Sequence, residues 1–349
     1  MTKIRLEAAL GQAVSVPTIG DVAALAGVSS ATVSRVLNSP SQVGKERRAR
    51  VEAAIQQLNF VPLAAAQTLK SGRSMTVGAI FPRLDSILFG SILNQLQTRF
   101  DQAGYTLITM TTVYNAATEP LRVRQLIARG VDALILLGGM HSPETDALIN
   151  EYQVPRMNLW SWLDDCPSAQ IGFCLRRAAS MAADHVCALG HKRVGVISAH
   201  PETNDMALKC RLGINDSLVK WQVEVDEDLF VASNYSVEDG SFAFSSLISQ
   251  PDPPTAILCT SDIFAAGAMR EARRMGLNVP RDISITGFDD SDFAKITNPG
   301  LTSIRTEQAI IGTRCAESIL GHLTESKKLV SLELGAELIV RESTAPPNR

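Results

Sequence analysis

Aromatic residues make up only 5% of this 349-residue sequence, and its six cysteines form no C-x-x-C pair. A zinc ribbon and a thioredoxin-type redox motif are therefore unsupported, and the cysteines fit small buried thiols in a reducing compartment. The N-terminus has no apolar stretch followed by a small-residue cleavage site, and the longest apolar run, 131–140, is too short to cross a bilayer. We expect a soluble, cytoplasmic protein that has no membrane partner.

Motifs of nucleotide, hydrolase and metal chemistry are also missing. The sequence contains no G-x-S-x-G elbow, no G-x-x-x-x-G-K-[ST] loop and no G-x-G-x-x-G after the first strand. Asp289, Asp290 and Asp292 are close in sequence, but such a loop is more often made of capping and solvated acids than of metal ligands. Asp262 also lies at the end of an apolar run, where a carboxylate can bind a ligand or cap the next helix, and we expect it to cap the helix. The sequence predicts a protein that is not an enzyme and has neither a cofactor nor a metal.

Positive charge is scarce overall but is concentrated in one segment. The net charge is −3, yet residues 18–74 carry +4, residues 1–17 carry +1 and residues 75–349 carry −8. The basic residues of 18–74 are Arg35, Lys45, Arg47, Arg48, Arg50, Lys70 and Arg73. A small positive module attached to a negative body is typical of a protein with a phosphate-binding head.

The pattern along the chain predicts an α/β protein. Seven apolar runs of four or five residues alternate with amphipathic helical segments from residue 75 onward, which indicates parallel sheets covered by helices. About 275 residues exceed one compact sheet, so we expect two lobes. The predicted N-lobe covers about 75–174 and 305–332, the C-lobe covers about 175–304, and the tail STAPPNR is expected to fray.

Residues 18–38, TIGDVAALAGVSSATVSRVLN, have the pattern of two short helices joined by a tight turn. Thr18 is placed to cap the first helix and Ser29 to cap the second. Ala23, Gly27 and Val33 supply the small contact residue, the turn glycine and the inward apolar residue that such a crossing needs. The spacing predicts an all-α helix-turn-helix head whose second helix can enter a DNA major groove.

The same residues resemble the DNA-binding head of the lac repressor (LacI/GalR) family of transcription regulators, and the resemblance extends over the whole chain. It implies an N-terminal extension at 1–17, a helix-turn-helix at 18–62, a hinge at 63–74 and a periplasmic-binding-protein-like body at 75–349. It also implies that Ser30, Ala31 and Arg35 face base edges, whereas four others lie nearer the phosphates. Those four are Ser29, Thr32, Ser34 and Asn38. Among these side chains only that of Arg35 can contact guanine through two hydrogen bonds.

Residues 62–74 resemble the family's hinge helix, which pairs with a second copy in the minor groove of double-stranded operator DNA. The resemblance implies that Leu69 is the wedge between base steps and that the protein acts as a homodimer on a pseudo-palindromic site. Leu63 and Gln67 depart from the asparagine and arginine that are usual in the family, which leaves hinge capping and some backbone contacts open. No heptad repeat follows the body, so we do not expect a coiled-coil tetramer.

LGHKRVGVIS, PTAILCTSDIFAAGAMR and VPRDISITGFDD resemble body motifs of the family. The resemblance implies a small-molecule effector, a sugar or sugar acid, bound at the carboxyl ends of the strands. Asp289 matches the effector-binding aspartate, and four aromatic residues fall where the family lines its cleft, namely Phe89, Trp160, Phe173 and Tyr235. Cys210 occupies the position of a common ligand-binding arginine, with Arg211 beside it as a further candidate.

Stretches beginning at FPRLDS and VPRMNLW are similar to the gluconate-operon repressor branch, in which Arg83 would neutralise a sugar-acid carboxylate. The predicted function is repression of sugar or sugar-acid catabolic genes, with release from the operator by the effector. Two alternatives stay open: a regulator whose purine-type ligand tightens DNA binding, and a sugar-binding protein that does not bind DNA.

Overall fold

The structure is a computed structural model that describes residues 16–61, 73–84 and 86–348. The chain separates into two compact units, Met1–Ser74 and Met75–Arg349. The predicted hinge residues Leu63, Gln67 and Leu69 lie outside the described residues, as does the side chain of Asn38.

Between residues 16 and 61 the first unit is helical, with no β-strand. It contains α1 (Ile19–Ala26), α2 (Ser30–Asn38), a 3₁₀ turn (Pro40–Gln42) and α3 (Lys45–Leu58). Small and β-branched side chains fill its core, and they are Val22, Ala23, Ala26, Val33, Val36, Val51 and Ala54. The predicted contact residues Ala23 and Val33 both belong to this core, which confirms the predicted crossing of the two helices.

The second unit contains two six-stranded sheets. In the first lobe the strands lie in the order β11-β5-β4-β3-β1-β2 and every pair is parallel. Its strands are β1 (Thr76–Phe81), β2 (Thr106–Thr111), β3 (Ala133–Leu137), β4 (Arg156–Ser161), β5 (Ala169–Phe173) and β11 (Leu332–Glu333). Its helices are α4 (Ile87–Gln102), α5 (Glu119–Ala128), α6 (Pro143–Glu151) and α12 (Gln308–Glu325), with a 3₁₀ turn at Ala116–Thr118.

The second lobe has the strand order β12-β10-β9-β8-β6-β7, in which only the β10–β12 pair is antiparallel. Its strands are β6 (Val194–Ser198), β7 (Phe230–Ala232), β8 (Ala256–Cys259), β9 (Ser284–Asp289), β10 (Thr302–Thr306) and β12 (Ala336–Ile339). Its helices are α7 (Leu175–Ala188), α8 (Asp205–Lys220), α9 (Val237–Ile248), α10 (Asp262–Arg274) and α11 (Asp292–Ile296), with a 3₁₀ turn at Glu227–Leu229.

The central strands are buried along most of their length, as in β6 and β9, because helices cover both faces of each sheet. The seven predicted apolar runs coincide with β1, β2, β3, β4, β6, β8 and β9. The other five strands, which the sequence did not predict, are β5, β7, β10, β11 and β12.

The C-terminal part of the chain corrects two expectations. Strand β10 belongs wholly to the second sheet, and the chain then crosses to the first lobe through α12 and β11 before it returns through β12. The tail is not frayed, because Ser343 is fully buried: its hydroxyl accepts a hydrogen bond from Thr302 N at 2.8 Å and donates one to Ile285 O at 2.6 Å. These bonds compensate the backbone groups at the edge of the sheet. Among the described helices, none is long and apolar enough to cross a membrane.

Candidate DNA-binding face and effector cleft

The turn between α1 and α2 has the geometry that its sequence predicts. The Thr18 side chain accepts a hydrogen bond from Asp21 N, and the Asp21 carboxylate accepts one from Thr18 N at 2.8 Å, which forms a capping box. The hydrogen bond from Thr18 N, followed by one that the Thr18 hydroxyl donates to the same carboxylate at 2.7 Å, lowers the pKa of Asp21. Gly27 ends α1 in the left-handed conformation at φ 62°, where a side chain would be strained.

The outer face of α2 carries the predicted base-reading side chains. Ser30, Ala31 and Arg35 are exposed, whereas Val33 and Val36 of the same helix are buried. Ser29 caps the helix by accepting a hydrogen bond from Thr32 N at 3.2 Å, and the Ser29 and Thr32 hydroxyls lie 3.0 Å apart. None of the three predicted base-reading side chains is therefore part of the hydrophobic core.

The basic side chains of α3 differ in their surroundings. Lys45, Arg47 and Arg50 are exposed, and Arg48 forms an ion pair with Glu52 at 2.6 Å across one helical turn. An exposed pair of this kind contributes little stability, so Arg48 can exchange Glu52 for another anion at small cost.

A cleft in the second unit lies where the strands end. Residues that follow β1, β2, β7, β8 and β9, together with residues of β4 and α8, surround a cavity of about 150 Å³, as expected for a ligand site in an open parallel sheet. Five of the predicted effector residues line this cavity, and they are Arg83, Phe89, Trp160, Tyr235 and Asp289.

Two predicted effector residues do not line the cavity. Phe173 is buried behind it, with ring centroids 5.0 Å from Trp160 and 6.2 Å from Phe288. Arg211 points away, since it forms an ion pair with Glu227 and its guanidinium lies 4.9 Å from the Phe230 ring centroid. Arg211 is therefore removed from the candidate ligand set, and Phe173 is a support for Trp160.

Trp160 is positioned by unusual backbone geometry. Its φ is 81°, in the left-handed region, although it lies in β4. In this conformation its carbonyl oxygen lies so close to Gly172 of β5 that an added Cβ would be 2.3 Å from it. Only glycine fits there. Backbone strain of this kind is concentrated at functional sites, and the Trp160 ring contacts Phe89 edge-on, with centroids 6.0 Å apart.

Asp289 is the least compensated carboxyl in the cleft. It is buried at the end of β9 and accepts a hydrogen bond from the Ser261 hydroxyl at 3.1 Å. Burial, followed by the neighbouring charge of Asp262, raises the pKa of Asp289 well above its ordinary value. A carboxyl of this kind favours a ligand that brings hydrogen-bond donors to it.

Asp262 has a different role from the predicted helix cap. Its carboxylate accepts hydrogen bonds from Ser303 Oγ at 2.6 Å and from the Ser291 amide and hydroxyl at 2.7 and 2.8 Å. Burial nevertheless raises its pKa to about 6. Asp262 therefore ties β10 to the loop after β9 and holds the floor of the cleft in place.

Asp290 is held by two arginines. Arg305 Nε lies 2.8 Å and Arg341 Nη2 lies 2.5 Å from its carboxylate oxygens. Its charge is thus matched within the protein. Over the described ranges, no group of three or more His, Cys, Asp or Glu residues is placed to hold a metal ion.

Sequence reasoning missed several residues of the cavity wall, including Tyr114, Met206, Ser261, Phe288 and Phe293. Cys210, noted as a departure from the family pattern, also lines it and is buried. Tyr114 and Ser261 each follow the end of a strand, β2 and β8. The strand-end rule applied to every predicted strand would have found them.

A capped helix-turn-helix unit, together with a two-lobed body that has a cleft at its strand ends, defines a ligand-binding transcriptional regulator. Residues 18–62 match the profile described as "Bacterial regulatory proteins, lacI family", and residues 183–344 match that of a periplasmic binding protein-like domain. The chain belongs to the lacI family of bacterial regulatory proteins.

Relatives match over nearly the whole chain. The HTH-type transcriptional repressor PurR of Shigella sonnei (strain Ss046) is 30% identical over 332 residues, which cover 94% of this chain and 97% of the relative. The structure of the lac repressor dimer bound to operator and the anti-inducer ONPF has a TM-score of 0.83 at 27% identity, and that of a CelR–cellobiose complex has 0.67 at 26%. Both alignments cover 94% of this chain and 99% of the other.

Proposed function

We propose that this protein is a homodimeric repressor that binds a pseudo-palindromic operator and is controlled by a small molecule in the cleft. The observation that carries the proposal is the exposed face of α2, where Ser30, Ala31 and Arg35 project from a capped and packed helix-turn-helix. A helix with such a face reads base edges in the major groove. Dimerisation follows from the similarity to the lac repressor dimer, and two copies would read half-sites related by a dyad.

The residues of α2 divide into two roles. Arg35 is the candidate for a two-bond contact with guanine, while Ser30 and Ala31 supply a close fit and contact with a thymine methyl. Ser29 and Thr32 lie at the N-terminus of the helix, where amides and hydroxyls favour a phosphate. Ser34 and Asn38 complete the proposed phosphate contacts.

Leu69 is proposed as the minor-groove wedge of the hinge. A segment this short is marginal as an isolated helix, so it can fold on DNA and melt without it. The effector would then act by changing how readily the two hinge segments pair. A coupling of about 1.4 kcal/mol changes operator affinity tenfold.

The cleft suits a ring that carries hydroxyl groups. Asp289 would accept hydrogen bonds from ligand hydroxyls, and the faces of Phe89, Trp160 and Tyr235 would pack its apolar side. Arg83 also lines the cavity and would neutralise a carboxylate, which favours a sugar acid and keeps the gluconate-operon branch as the finer proposal. Because Cys210 stands where the family often has a ligand-binding arginine, the cleft lacks one positively charged contact for an anionic group of the ligand.

A ligand that tightens DNA binding is the second candidate. The aromatic wall, which also includes Tyr114, Phe288 and Phe293, favours stacking with a flat ring. The sign of the response separates the two functions: an inducer releases operator DNA and a corepressor retains it.

Selection of bound sequences from a random duplex library, followed by operator binding with a panel of sugars, sugar acids and nucleobases, tests the proposal. We expect a pseudo-palindromic site with two half-sites and no chemical turnover of any panel member. Failure to select any sequence would leave a sugar-binding protein without DNA function. The proposed site of action is the cytoplasm, at the nucleoid.

The hinge is tested by Leu69→Ala. We expect specific operator affinity to fall by about tenfold or more, because a wedge exchanges unstacking for a bent and more extensive contact. Effector affinity should not change. Leu63→Ala in the same segment is the matched control, and an operator affinity that is equal in the wild type and Leu69→Ala would contradict the wedge.

A further inference from the structure

Two contacts join the lobes across the mouth of the cleft. From the second lobe, the Asp205 carboxylate accepts hydrogen bonds from the amides of Gly139 and Met140 of the first lobe, at 3.1 and 3.3 Å. The ring of Tyr114, also from the first lobe, stacks on that of Tyr235, with centroids 5.1 Å apart and 19° between the planes. The lobes are thus tied by contacts between residues of the chain itself.

Both ties are held in position by their own neighbours. Asn204 caps α8 by accepting hydrogen bonds from two amides, and its Nδ2 donates to the Tyr235 hydroxyl at 3.4 Å. Tyr235 stacks on Phe264 as well, at 5.1 Å and 20°. Tyr114 and the residue before it both have φ in the left-handed region, at 57° and 52°, which fixes the direction in which its loop leaves β2.

The loop that donates to Asp205 is fixed from beneath. His141 follows Met140 directly, and its side chain is only 3% exposed. Its Nδ1 lies 3.0 Å from a Glu119 carboxylate oxygen, and Thr145 Oγ1 donates to the same carboxylate at 3.1 Å. The two amides are therefore presented to Asp205 by a buried network.

Tyr114 also separates two cavities. It lines the inner cavity of about 150 Å³ together with Trp160 and Asp289, and it lines an outer cavity of about 500 Å³ together with Asn204 and Asp205. The inner cavity is smaller than the roughly 300–1,000 Å³ of ordinary ligand pockets. A second sugar unit that extended from a ring in the inner cavity into the outer one would meet the Tyr114 ring.

We propose that Asp205 and Tyr114 form a latch that closes the cleft and limits the effector to a molecule of single-ring size. This inference rests on the proposed function only in naming the cleft as the effector site. It separates this chain from the CelR regulator, whose complex contains the disaccharide cellobiose.

The latch can be tested without any ligand. Trp160 lines the inner cavity and is 3% exposed. In a Trp162→Phe/Trp221→Phe background Trp160 is the sole tryptophan, and its quenching by acrylamide reports access to the cavity. We expect Asp205→Ala and Tyr114→Ala each to raise the quenching constant about fivefold, since each removes a contact that favours closure. Unchanged quenching in both variants would overturn the latch.

Glu202→Ala is the matched control, because Glu202 is an exposed acid near Asp205 that pairs with His200 of its own loop. It should quench like the background protein. Thermal unfolding of each variant shows whether increased quenching reflects an open cleft or a loss of folding, and a transition retained within a few degrees supports opening. Quenching requires neither operator nor effector, so failure of the latch is distinguishable from failure of the proposed function.

The size limit is tested with glucose, gluconate and cellobiose, using Trp160 fluorescence as the readout. The protein with Asp205 and Tyr114 unchanged should show no change in Trp160 fluorescence with cellobiose. Tyr114→Ala joins the two cavities and should bind cellobiose at least about tenfold more tightly than the protein that keeps Tyr114. Binding of cellobiose to the unaltered cleft as tightly as a single-ring sugar or sugar acid would overturn the size limit.

Discussion

The two units of this protein present their functional side chains in opposite ways. In the helical unit, Ser30, Ala31 and Arg35 are exposed on a single nine-residue helix. In the two-lobed unit, Trp160 and Asp289 are buried and come from different sheets. Because DNA has a large contact surface, the side chains that contact its bases can be exposed on the protein. A small molecule must be surrounded by protein side chains to bind well.

The difference extends to charge. The exposed cations of the helical unit stay hydrated and cost little when DNA is absent, and in the proposed complex they would neutralise phosphates. Asp289 loses its hydration on folding and regains few partners. With the proposed functions, the helical unit would gain affinity through exposed charges, and the cleft would gain specificity through one buried carboxyl to which a ligand brings further hydrogen bonds.

The largest expected effect comes from disrupting the core of the helical unit alone. Val33 is fully buried, and Val33→Asp places a carboxylate where no cation compensates it, which should unfold this unit and reduce operator affinity by more than about 100-fold. The body is a separate compact unit, so its thermal transition should persist. Leu25→Asp adds the same charge on an exposed site of α1, and equal loss of affinity in both variants would contradict a core role for Val33.

A smaller effect is expected at the exposed reading face. Arg35→Ala should cost about 1–3 kcal/mol of operator affinity and relax discrimination at one base pair. Arg47→Ala, on α3, is the comparison: it should weaken all sequences alike and lower the salt dependence by about one ion. Binding to operators substituted at each position, at several salt concentrations, separates the two. A uniform loss in Arg35→Ala would reassign it to phosphate.

A third effect concerns the buried carboxyl, leaves operator affinity unchanged and appears only in the pH dependence of protein stability. Because the pKa of Asp289 is raised on folding, its contribution to stability is fully present below its unfolded pKa of 3.8 and is lost as pH rises through the folded pKa. Asp289→Asn removes this loss. Its free energy of unfolding relative to wild type should therefore rise as the pH increases above the unfolded pKa of 3.8, by about 1.4 kcal/mol for each unit by which folding raises the pKa.

Denaturant unfolding at several pH values measures this difference. Asp292→Asn is the matched control, because its side chain is 84% exposed and pairs with Lys295. A pH-independent difference between Asp289→Asn and wild type would show that Asp289 is ionised in the folded cleft.

The contrast between the units also explains what the sequence could predict. In the helical unit the caps, the turn glycine and the residues at which α1 and α2 cross all lie within 21 consecutive residues, so local rules were sufficient. Strands β5 and β10 were missed because each buries polar side chains, Gln170 in β5 and Thr302 and Ser303 in β10. Their hydrogen bonds come from distant residues, such as Ser303 to Asp262, which no local pattern records.

The cleft was predicted in part for the same reason. Trp160 and Asp289 are placed by strand ends, a rule that can be applied to sequence, and both line the cavity. Arg211 was misplaced because one residue on a helix turns a side chain by about 100°. Its neighbour Cys210 faces the cavity, and Arg211 pairs with Glu227.

Because the chain crosses between the two lobes more than once, the fold limits which parts of the gene can be exchanged by recombination. β11 completes the first sheet by pairing with β5, and β12 completes the second by pairing with β10. Neither lobe is therefore encoded by one uninterrupted stretch, whereas the helical unit is. Recombination between related genes could transfer the helical unit as one continuous segment. A crossover inside the body would instead place strands from two different proteins in the same sheet, where their side chains are not matched for packing. The helical unit and the whole body can each be exchanged intact, whereas a single lobe cannot be exchanged as one segment of the chain.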